Sequence, residues 1–467
     1  MYVKADKYAQ GGRSVGHLDD GRIVFIDGLF PGEEAEIEIV EAKKDYCIAK
    51  PLHIAVKSPD RRQSICPFSE ECGGCQWIEL DYAAQTRAKQ EIVQELFSDM
   101  PIQFEEPVTG PEFGYRSRAR FQYKIRNGKA SLGFCAESSN KSIQIDHCPV
   151  VDDSLNNLIK NPPRLNAWEL KNQELSCITA DDGVLYDDRT GWITVGERRL
   201  PVSNKVFFQS NLILLPKLID YVVSLTEGPK VMDLYSGIGT FSAYLEDKFD
   251  VTAVEINKFC LSLAKSHLKH TSFFTSPVEK WNPRSREVDT VIVDPPRVGL
   301  DKAVPQMIAS WNPKRIVYVS CYAPTMHRDI KRLTDLGYKA EALKLFDFYP
   351  QTPHVESCVL LVRESICREQ YENTVSLKVD LEGINFNQER QQEAEKPTYD
   401  NIKRWVKAKY GLEVTSLYIA QVKGKLGIKG RKNYNIGEGK GVVPHCPPKK
   451  EEAIKNALRH FGMIGLY

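Results

Sequence analysis

The chain has 467 residues, with 63 Lys plus Arg against 62 Asp plus Glu, and its length predicts roughly three domains. No window approaches the ~18 apolar residues of a bilayer span, and the start, MYVKADKYAQGG, lacks the apolar core of a secretory signal. A cytoplasmic monomer without membrane contact is expected, so the 12 cysteines do not read as a disulfide framework. The net charge of +1 conceals an asymmetry, because residues 397–467 hold 14 Lys plus Arg against 5 Asp plus Glu, leaving the remainder at −8. A basic tail on an acidic body fits a polyanion partner, although a solvated surface gives the same count.

Residues 1–57 alternate short apolar runs with turn signals. Ile23-Val24-Phe25-Ile26 and Ala35-Glu36-Ile37-Glu38-Ile39 flank Gly28 and Pro31-Gly32, which predicts a small antiparallel barrel. The segment resembles the TRAM domain, an OB-like RNA-binding module. Cys66, Cys72 and Cys75 follow in CPFSEECGGCQW, with Gly73-Gly74 allowing the sulfurs to converge and Cys148 in DHCPV as a fourth candidate. Four thiolates suit either a [4Fe–4S] cluster or a structural zinc. Residues 58–203 read as a mixed α+β central domain carrying these thiols.

From Pro229 to Arg363 apolar strands alternate with helical stretches, the sign of a doubly wound parallel sheet, and an α/β domain is placed over residues 204–363. Val231-Met232-Asp233-Leu234-Tyr235 runs into Ser236-Gly237-Ile238-Gly239-Thr240-Phe241, and the next strand ends in Glu255. The glycines permit a tight turn at the strand's carboxyl end, and an acid about 20 residues on is placed to take ribose hydroxyls. Without GxGxxG, S-adenosylmethionine fits better than a dinucleotide. Val291-Ile292-Val293-Asp294-Pro295-Pro296-Arg297 then ends a buried strand in an acid and a stiff double proline. An amino-methyltransferase would show an aromatic residue where Arg297 stands.

Cys321 ends the next strand, on the same sheet edge as Gly237 and Asp294. A cysteine in such a strand is usually core filler, but a thiolate there suits attack on C6 of uracil. The addition makes C5 electron-rich enough to accept a methyl group, and a base must then remove the C5 proton. Glu356, in FDFYPQTPHVE just before the last apolar strand, is the candidate base, with His354 as the alternative.

These motifs together resemble the TrmA/RumA-type uracil-5 RNA methyltransferases over residues 1–363. The resemblance implies that Gln209 in VFFQSN, Tyr235, Glu255 and Asp294 contact the cofactor, that Cys321 is the nucleophile and that Glu356 is the base. It also implies substrate contacts at Arg116 and Arg118 in YRSRARFQY, and favours a [4Fe–4S] cluster over zinc. The substrate expected by the resemblance is 23S rRNA, whose target base must be flipped out to reach Cys321. A tRNA uracil-5 or an RNA cytosine-5 methyltransferase, and an inactive RNA-binding assembly factor, are the rival readings. Two positions depart from the family pattern. SCNP becomes Ser320-Cys321-Tyr322-Ala323, with Pro324 one place late, and Ser236 replaces a common cysteine.

Residues 364–396 turn polar and read as a linker. The final block, 397–467, shows helices at Tyr399–Tyr410 and Thr415–Lys425 around Gly411, with Leu417, Ile419, Ala420 and Val422 near helical spacing. This pair predicts a helix-turn-helix-like nucleic-acid binder or a plain packing unit. The six Lys or Arg between Lys423 and Lys440 suit phosphate contacts.

Overall fold

The computed structural model describes residues 1–136, 139, 141–165, 170–283, 287–364, 399–426 and 446–460. The chain divides into two compact units, 1–375 and 376–467. The expected linker and most of the lysine- and glycine-rich stretch after Lys423 lie outside the described residues.

The first unit begins with β1 (Tyr2–Lys4), β2 (Lys7–Tyr8), β3 (Ser14–His17), β4 (Ile23–Ile26), β5 (Glu34–Ala42) and β6 (Tyr46–Val56), ordered β1-β5-β6-β4-β3-β2. Directly after β1, the Asp6 amide donates to Val15 of β3 at 2.7 Å, so the two ends of the order meet and the sheet curls into an OB-like barrel. Val24, Ile26, Ala35, Ile37, Cys47 and Ala49 fill it, following the period of two that puts alternate side chains inside. Buried Glu33 accepts from Arg61 Nε at 2.6 Å and from the Ser58 amide at 3.0 Å, fastening the barrel to the segment that follows.

That segment leads into α1 (Tyr82–Leu96) and β7 (Gln103–Phe104), then β8 (Arg118–Arg126), β9 (Lys129–Cys135), β10 (Ser142–Gln144), α2 (Asp153–Lys160), β11 (Glu174–Ala180) and β12 (Gly183–Leu185). The strands from β8 to β12 form a sheet ordered β10-β9-β8-β11-β12, followed by a hairpin of β13 (Thr190–Val195) and β14 (Arg198–Ser203). The sheet packs Phe121, Tyr123, Leu132 and Leu175 against Leu155 and Ile159 of α2. β7 does not join it. Instead it pairs in parallel with a strand more than 200 residues downstream, Ala342 opposite Gln103, so the segment expected to be wholly central also completes the last sheet.

That last sheet holds α3 (Leu215–Leu225), β15 (Lys230–Leu234), α4 (Ser242–Leu245), β16 (Asp250–Glu255), α5 (Lys258–His267), β17 (Ser272–Thr275), β18 (Thr290–Val293), α6 (Val304–Trp311), β19 (Arg315–Ser320), α7 (Ala323–Thr334), β20 (Tyr338–Phe346) and β21 (Glu356–Arg363). Its order is β17-β16-β15-β18-β19-β21-β20-β7, and β21 alone runs against both neighbours. Both faces are covered, which is why the strands read as unbroken apolar runs. Along β19, Val317 and Val319 face one layer with Leu218 and Val222, while Ile316 and Tyr318 face the other with Met326 and Ile330.

The second unit contains three described helices, α8 (Tyr399–Tyr410), α9 (Ser416–Lys425) and α10 (Pro448–His460). Ile402 and Val406, Ile419 and Val422, and Ile454, Ala457 and Leu458 bury one stripe from each. The expected pair of helices is therefore part of a trio. Leu417, expected on the apolar side, is 43% exposed, because Ile419 and Val422 already turn toward α10. Among the described residues no helix is long and apolar enough to cross a membrane.

Candidate functional site

Four parallel strands deliver the predicted residues to one edge of the large sheet. β16 ends in Glu255, and Tyr235, Asp294 and Cys321 directly follow β15, β18 and β19. This carboxyl edge is where open α/β sheets bind ligands. At the first of these turns Tyr235 holds a φ of +61°, a value uncommon outside glycine. Gly239 follows at +78°, where an added Cβ would stand 2.5 Å from Leu268, so only glycine lets the turn pack on that side chain. Glu255 accepts the Gly237 amide at 3.0 Å and the Asn257 amide at 2.7 Å, tying the glycine turn to the end of the second strand. Ser236 Oγ and Gln209 Oε1 are buried without a partner, two polar atoms of the kind that a bound ligand satisfies.

The antiparallel register builds the other half of the site. Ser320 of β19 lies opposite Ser357 of β21, and one further step of the same register sets Cys321 across from Glu356. Glu356 is 1% exposed, and neither of its carboxylate oxygens has a partner. Burial and the nearby Asp294 push its pKa well above the ordinary range, with Arg297 opposing. Burial, Glu356 and Asp294 push the Cys321 thiol up to about 11, while a hydrogen bond from Arg297 pulls it down. Asp294 is raised to about 7 by burial and by Asp233. His354 is driven the other way, to about 4, by burial and by Arg297. At neutral pH it is an uncharged imidazole and a weak proton acceptor, which separates it from Glu356 as a candidate base.

The altered residues after Cys321 form a helix start rather than a distinct loop. Pro324 sits in the first turn of α7, where a missing amide donor costs nothing. Ser320 Oγ accepts the Tyr322 amide at 3.1 Å, and Thr325 Oγ1 donates to the Arg297 carbonyl at 2.9 Å. The helix that follows the cysteine thus also holds the Asp-Pro-Pro-Arg loop.

Several supporting residues escaped the sequence reading. Buried Asp329 accepts from the Leu300 amide at 2.7 Å and from the Tyr318 hydroxyl at 2.9 Å, joining α7, β19 and the loop after Arg297. Its signal was the last letter of SCYAPTMHRD, which carried no role on its own. Lys89 of α1 donates to Asp347 at 2.6 Å and to the Tyr349 carbonyl at 3.0 Å, with both charged side chains only 2% exposed. No local pattern links residues so far apart in sequence. On the barrel side, a Cβ at Gly12 would stand 2.3 Å from Pro353, so the barrel tip abuts the loop that carries His354. Arg116 and Arg118 lie at the junction of the central and large sheets. Arg116 makes bridge pairs with Asn211 and Val151, and the Arg118 guanidinium stands 5.7 Å from the centre of the exposed Phe207 ring.

Cys66, Cys72, Cys75 and Cys148 share one neighbourhood. Burial pushes the Cys75 thiol up to about 12, and Cys148, Cys72 and Cys66 each push it further. The expected closed ligand set is not what the side chains form. Among the described residues no group of three or more His, Cys, Asp or Glu converges to hold a metal ion. Cys66 and Cys75 ride on irregular backbone and Cys72 makes only an isolated bridge, opposite Ala136, so no continuous strand register fixes the sulfurs. Beside them a cavity of about 350 Å³ opens against the barrel, lined by Arg13, Phe30 and Lys50 on one side and Cys72, Cys75 and Trp77 on the other.

Comparison with known proteins agrees with this geometry. The family described as tRNA (Uracil-5-)-methyltransferase matches residues 279–364, and the TRAM domain matches residues 3–52. A protein of Bdellovibrio bacteriovorus named as an RNA methyltransferase is 32% identical over 384 residues, covering 76% of this chain and 93% of its own. A Treponema denticola protein of the same description is 31% identical, covering 76% of this chain and 97% of its own. Among solved structures, Pyrococcus abyssi tRNA (uracil-54, C5)-methyltransferase in complex with S-adenosyl-L-homocysteine superposes with a TM-score of 0.62. It is 25% identical and covers 78% of this chain and 100% of its own.

Proposed function

The chain belongs to the S-adenosylmethionine-dependent RNA uracil-5 methyltransferase family, and from that premise we propose that it methylates uridine C5 through a transient bond from Cys321 to C6. The observation that carries this reading is the placement of Cys321 opposite Glu356 on one sheet edge, with Asp294 beside them. A core cysteine has no use for an enclosed, unpartnered carboxyl group across the strand. The cofactor supplies an electrophilic methyl group on a sulfonium. Gln209, Tyr235, Glu255 and Asp294 are proposed to hold it, and the unpartnered Gln209 Oε1 supports the fit.

Cys321 Sγ adds to C6, and the C5=C6 electron pair moves toward O4. Arg297, hydrogen-bonded to the sulfur, favours the thiolate that makes this addition. C5 then takes the methyl group, and Glu356 accepts the C5 proton. The electrons of that C–H bond restore C5=C6 and expel Cys321 as a thiolate. The elevated pKa of Glu356 makes it a stronger base than an ordinary carboxylate. Arg116 and Arg118 are proposed to face the RNA.

We infer that the substrate is 23S rRNA, read largely by shape and phosphate contacts. The conjunction of barrel and thiol segment supports this, since the resemblance associates the pair with relatives acting on large-subunit RNA. A tRNA substrate is the second reading, because the Pyrococcus abyssi relative is named as a tRNA enzyme. Cys66, Cys72, Cys75 and Cys148 are proposed as ligands of a [4Fe–4S] cluster. Supporting this are the all-sulfur donor set and the mutual crowding of the thiols, which a cationic core would relieve. Iron and sulfide analysis of anaerobically purified protein tests it, and zinc in their place would replace the assignment.

Trapping with RNA that carries 5-fluorouridine tests the reaction. Fluorine cannot leave C5 as a proton, so the enzyme should stall as an adduct on Cys321, and Cys321→Ala should give neither adduct nor methylated product. Methylation by that variant would remove the covalent mechanism.

A further inference from the structure

The second unit is not used by the reaction, yet it holds a surface with the chemistry of a ligand site. We propose that the exposed side of α8, around Arg404, Trp405, Lys409 and Tyr410, binds single-stranded RNA by base stacking and phosphate contact. The choice of RNA as the polyanion rests on family membership, and the surface itself is argued from four observations.

Most of this side of the helix stands outside the three-helix core, although Trp405 packs partly against that core. Ile402 and Val406 turn α8 into the three-helix core, while Arg404, Lys409 and Tyr410 point to solvent. Two aromatic rings nevertheless stand there. Trp405 and Tyr410 pack edge to face with centroids 5.8 Å apart, and Tyr410 is 40% exposed. The Asn456 side-chain amide donates to the Tyr410 hydroxyl at 3.1 Å, so α10 holds the tyrosine in place. Ordered, exposed aromatic faces beside cations are the recurring platform for unpaired bases.

The charges point the same way. Glu413 is taken by Lys407, and Glu451 by Lys425 and Lys455. Lys409 instead lies 4.8 Å above the Trp405 ring, a contact that leaves its positive charge uncancelled. At longer range, residues 397–467 carry 14 cations against 5 anions, while the rest of the chain is at −8, so this block favours a polyanion more strongly than the body does. Finally, the Bdellovibrio and Treponema relatives align over 93% and 97% of their own length but only 76% of this chain. The remaining part of this chain has no counterpart in those alignments.

Fluorescence anisotropy with the full-length protein and a labelled single-stranded RNA tests the proposal. The variant Arg404→Glu/Lys409→Glu/Tyr410→Ala should weaken binding about tenfold or more, the scale of one lost stacking contact. The slope of log Kd against log salt should flatten by about 0.7 for each phosphate contact removed. Tyr410→Phe keeps the ring but loses the Asn456 bond and should retain most of the parent's affinity, whereas Tyr410→Ala alone should not, which separates stacking from general charge. Methyl transfer at saturating RNA should be unchanged in all of them, since none is among the residues proposed to carry the reaction. Unaltered affinity and salt slope in a triple variant with a parental melting temperature would overturn the proposal. So would a variant that binds RNA normally but loses a protein partner. If the parent enzyme instead forms no 5-fluorouridine adduct, the catalytic reading fails while the binding result stands.

Discussion

Two regions of the first unit carry the thiols to which chemistry is assigned in the proposal, and they are built in opposite ways. Cys321 follows a buried strand whose neighbours on both sides are fixed by register, so its distances to Asp294 and Glu356 are set by the sheet. Cys66 and Cys75 lie on irregular backbone between the barrel and α1, and Cys72 makes an isolated bridge; among the described residues no three such groups converge on a metal position. A sheet pre-positions groups before any ligand arrives, whereas a loop leaves part of the geometry to what it binds. The edge that carries Cys321 is expected to be rigid and ready, and the thiol segment to take its final shape only with the proposed metal.

The sharpest test of the rigid half separates bond formation from proton removal. Glu356→Gln is close to the parent in shape and keeps Cys321 in place, so adduct formation on unmodified RNA should persist. Turnover should fall about 10²–10⁴-fold, the usual contribution of a general base, and the methylated adduct should accumulate on denaturing gels. Equal loss of adduct and turnover would mean that Glu356 orients the site rather than accepting the proton.

Next in size is the pair that anchors the catalytic loop. Lys89→Met leaves Asp347 buried without its cation, and loss of one partner of a buried pair typically costs about 3–5 kcal/mol. Chemical denaturation should show that loss, and Lys89→Met/Asp347→Leu should recover much of it. Little recovery would mean that the Tyr349 carbonyl contact of Lys89, not the ion pair, holds the loop.

These residues also mark what a sequence can and cannot disclose. Glu255, Asp294 and Cys321 were legible because each ends an apolar run, and parallel strands bring such ends to one edge by topology alone. Glu356 was legible because an antiparallel strand starts where its partner ends. The three-helix core was half visible: α8 and α9 show a buried stripe, but α10 lies beyond 22 residues, 426–447, that carry no apolar period. Lys89, Asp329 and Gly12 were silent, since each acts on a partner that only the folded chain brings near. The same holds for β7, two residues whose pairing with β20 no local pattern announces.

A smaller effect tests the electrostatics of the prepared edge. Asp294 has its folded pKa raised to about 7 from a reference of 3.8, so ionising it opposes folding. For a raised acid the protonated form favours the native state. Stability from this group is complete below about pH 4 and is lost as pH rises through 7. Asp294→Asn removes the ionisation and should raise the melting temperature of the ligand-free protein more at pH 8 than at pH 5, with little gain at pH 4. A gain independent of pH would assign the effect to packing.

The smallest expected effect bears most directly on the contrast between the two regions. Cys72→Ser should abolish metal loading, yet the rate at which iodoacetamide alkylates Cys321 should stay within about twofold of the parent, the additivity expected for separate sites. One side chain stands between them. The positive charge of Arg116 acts on Cys72, Cys75 and Cys148 on one side and on Tyr349 and His354 on the other. If Cys72→Ser changes Cys321 alkylation by more than that margin, and Arg116→Met removes the change, the two regions are coupled through this cation. The division between a rigid catalytic edge and an independent, metal-shaped segment would then no longer hold.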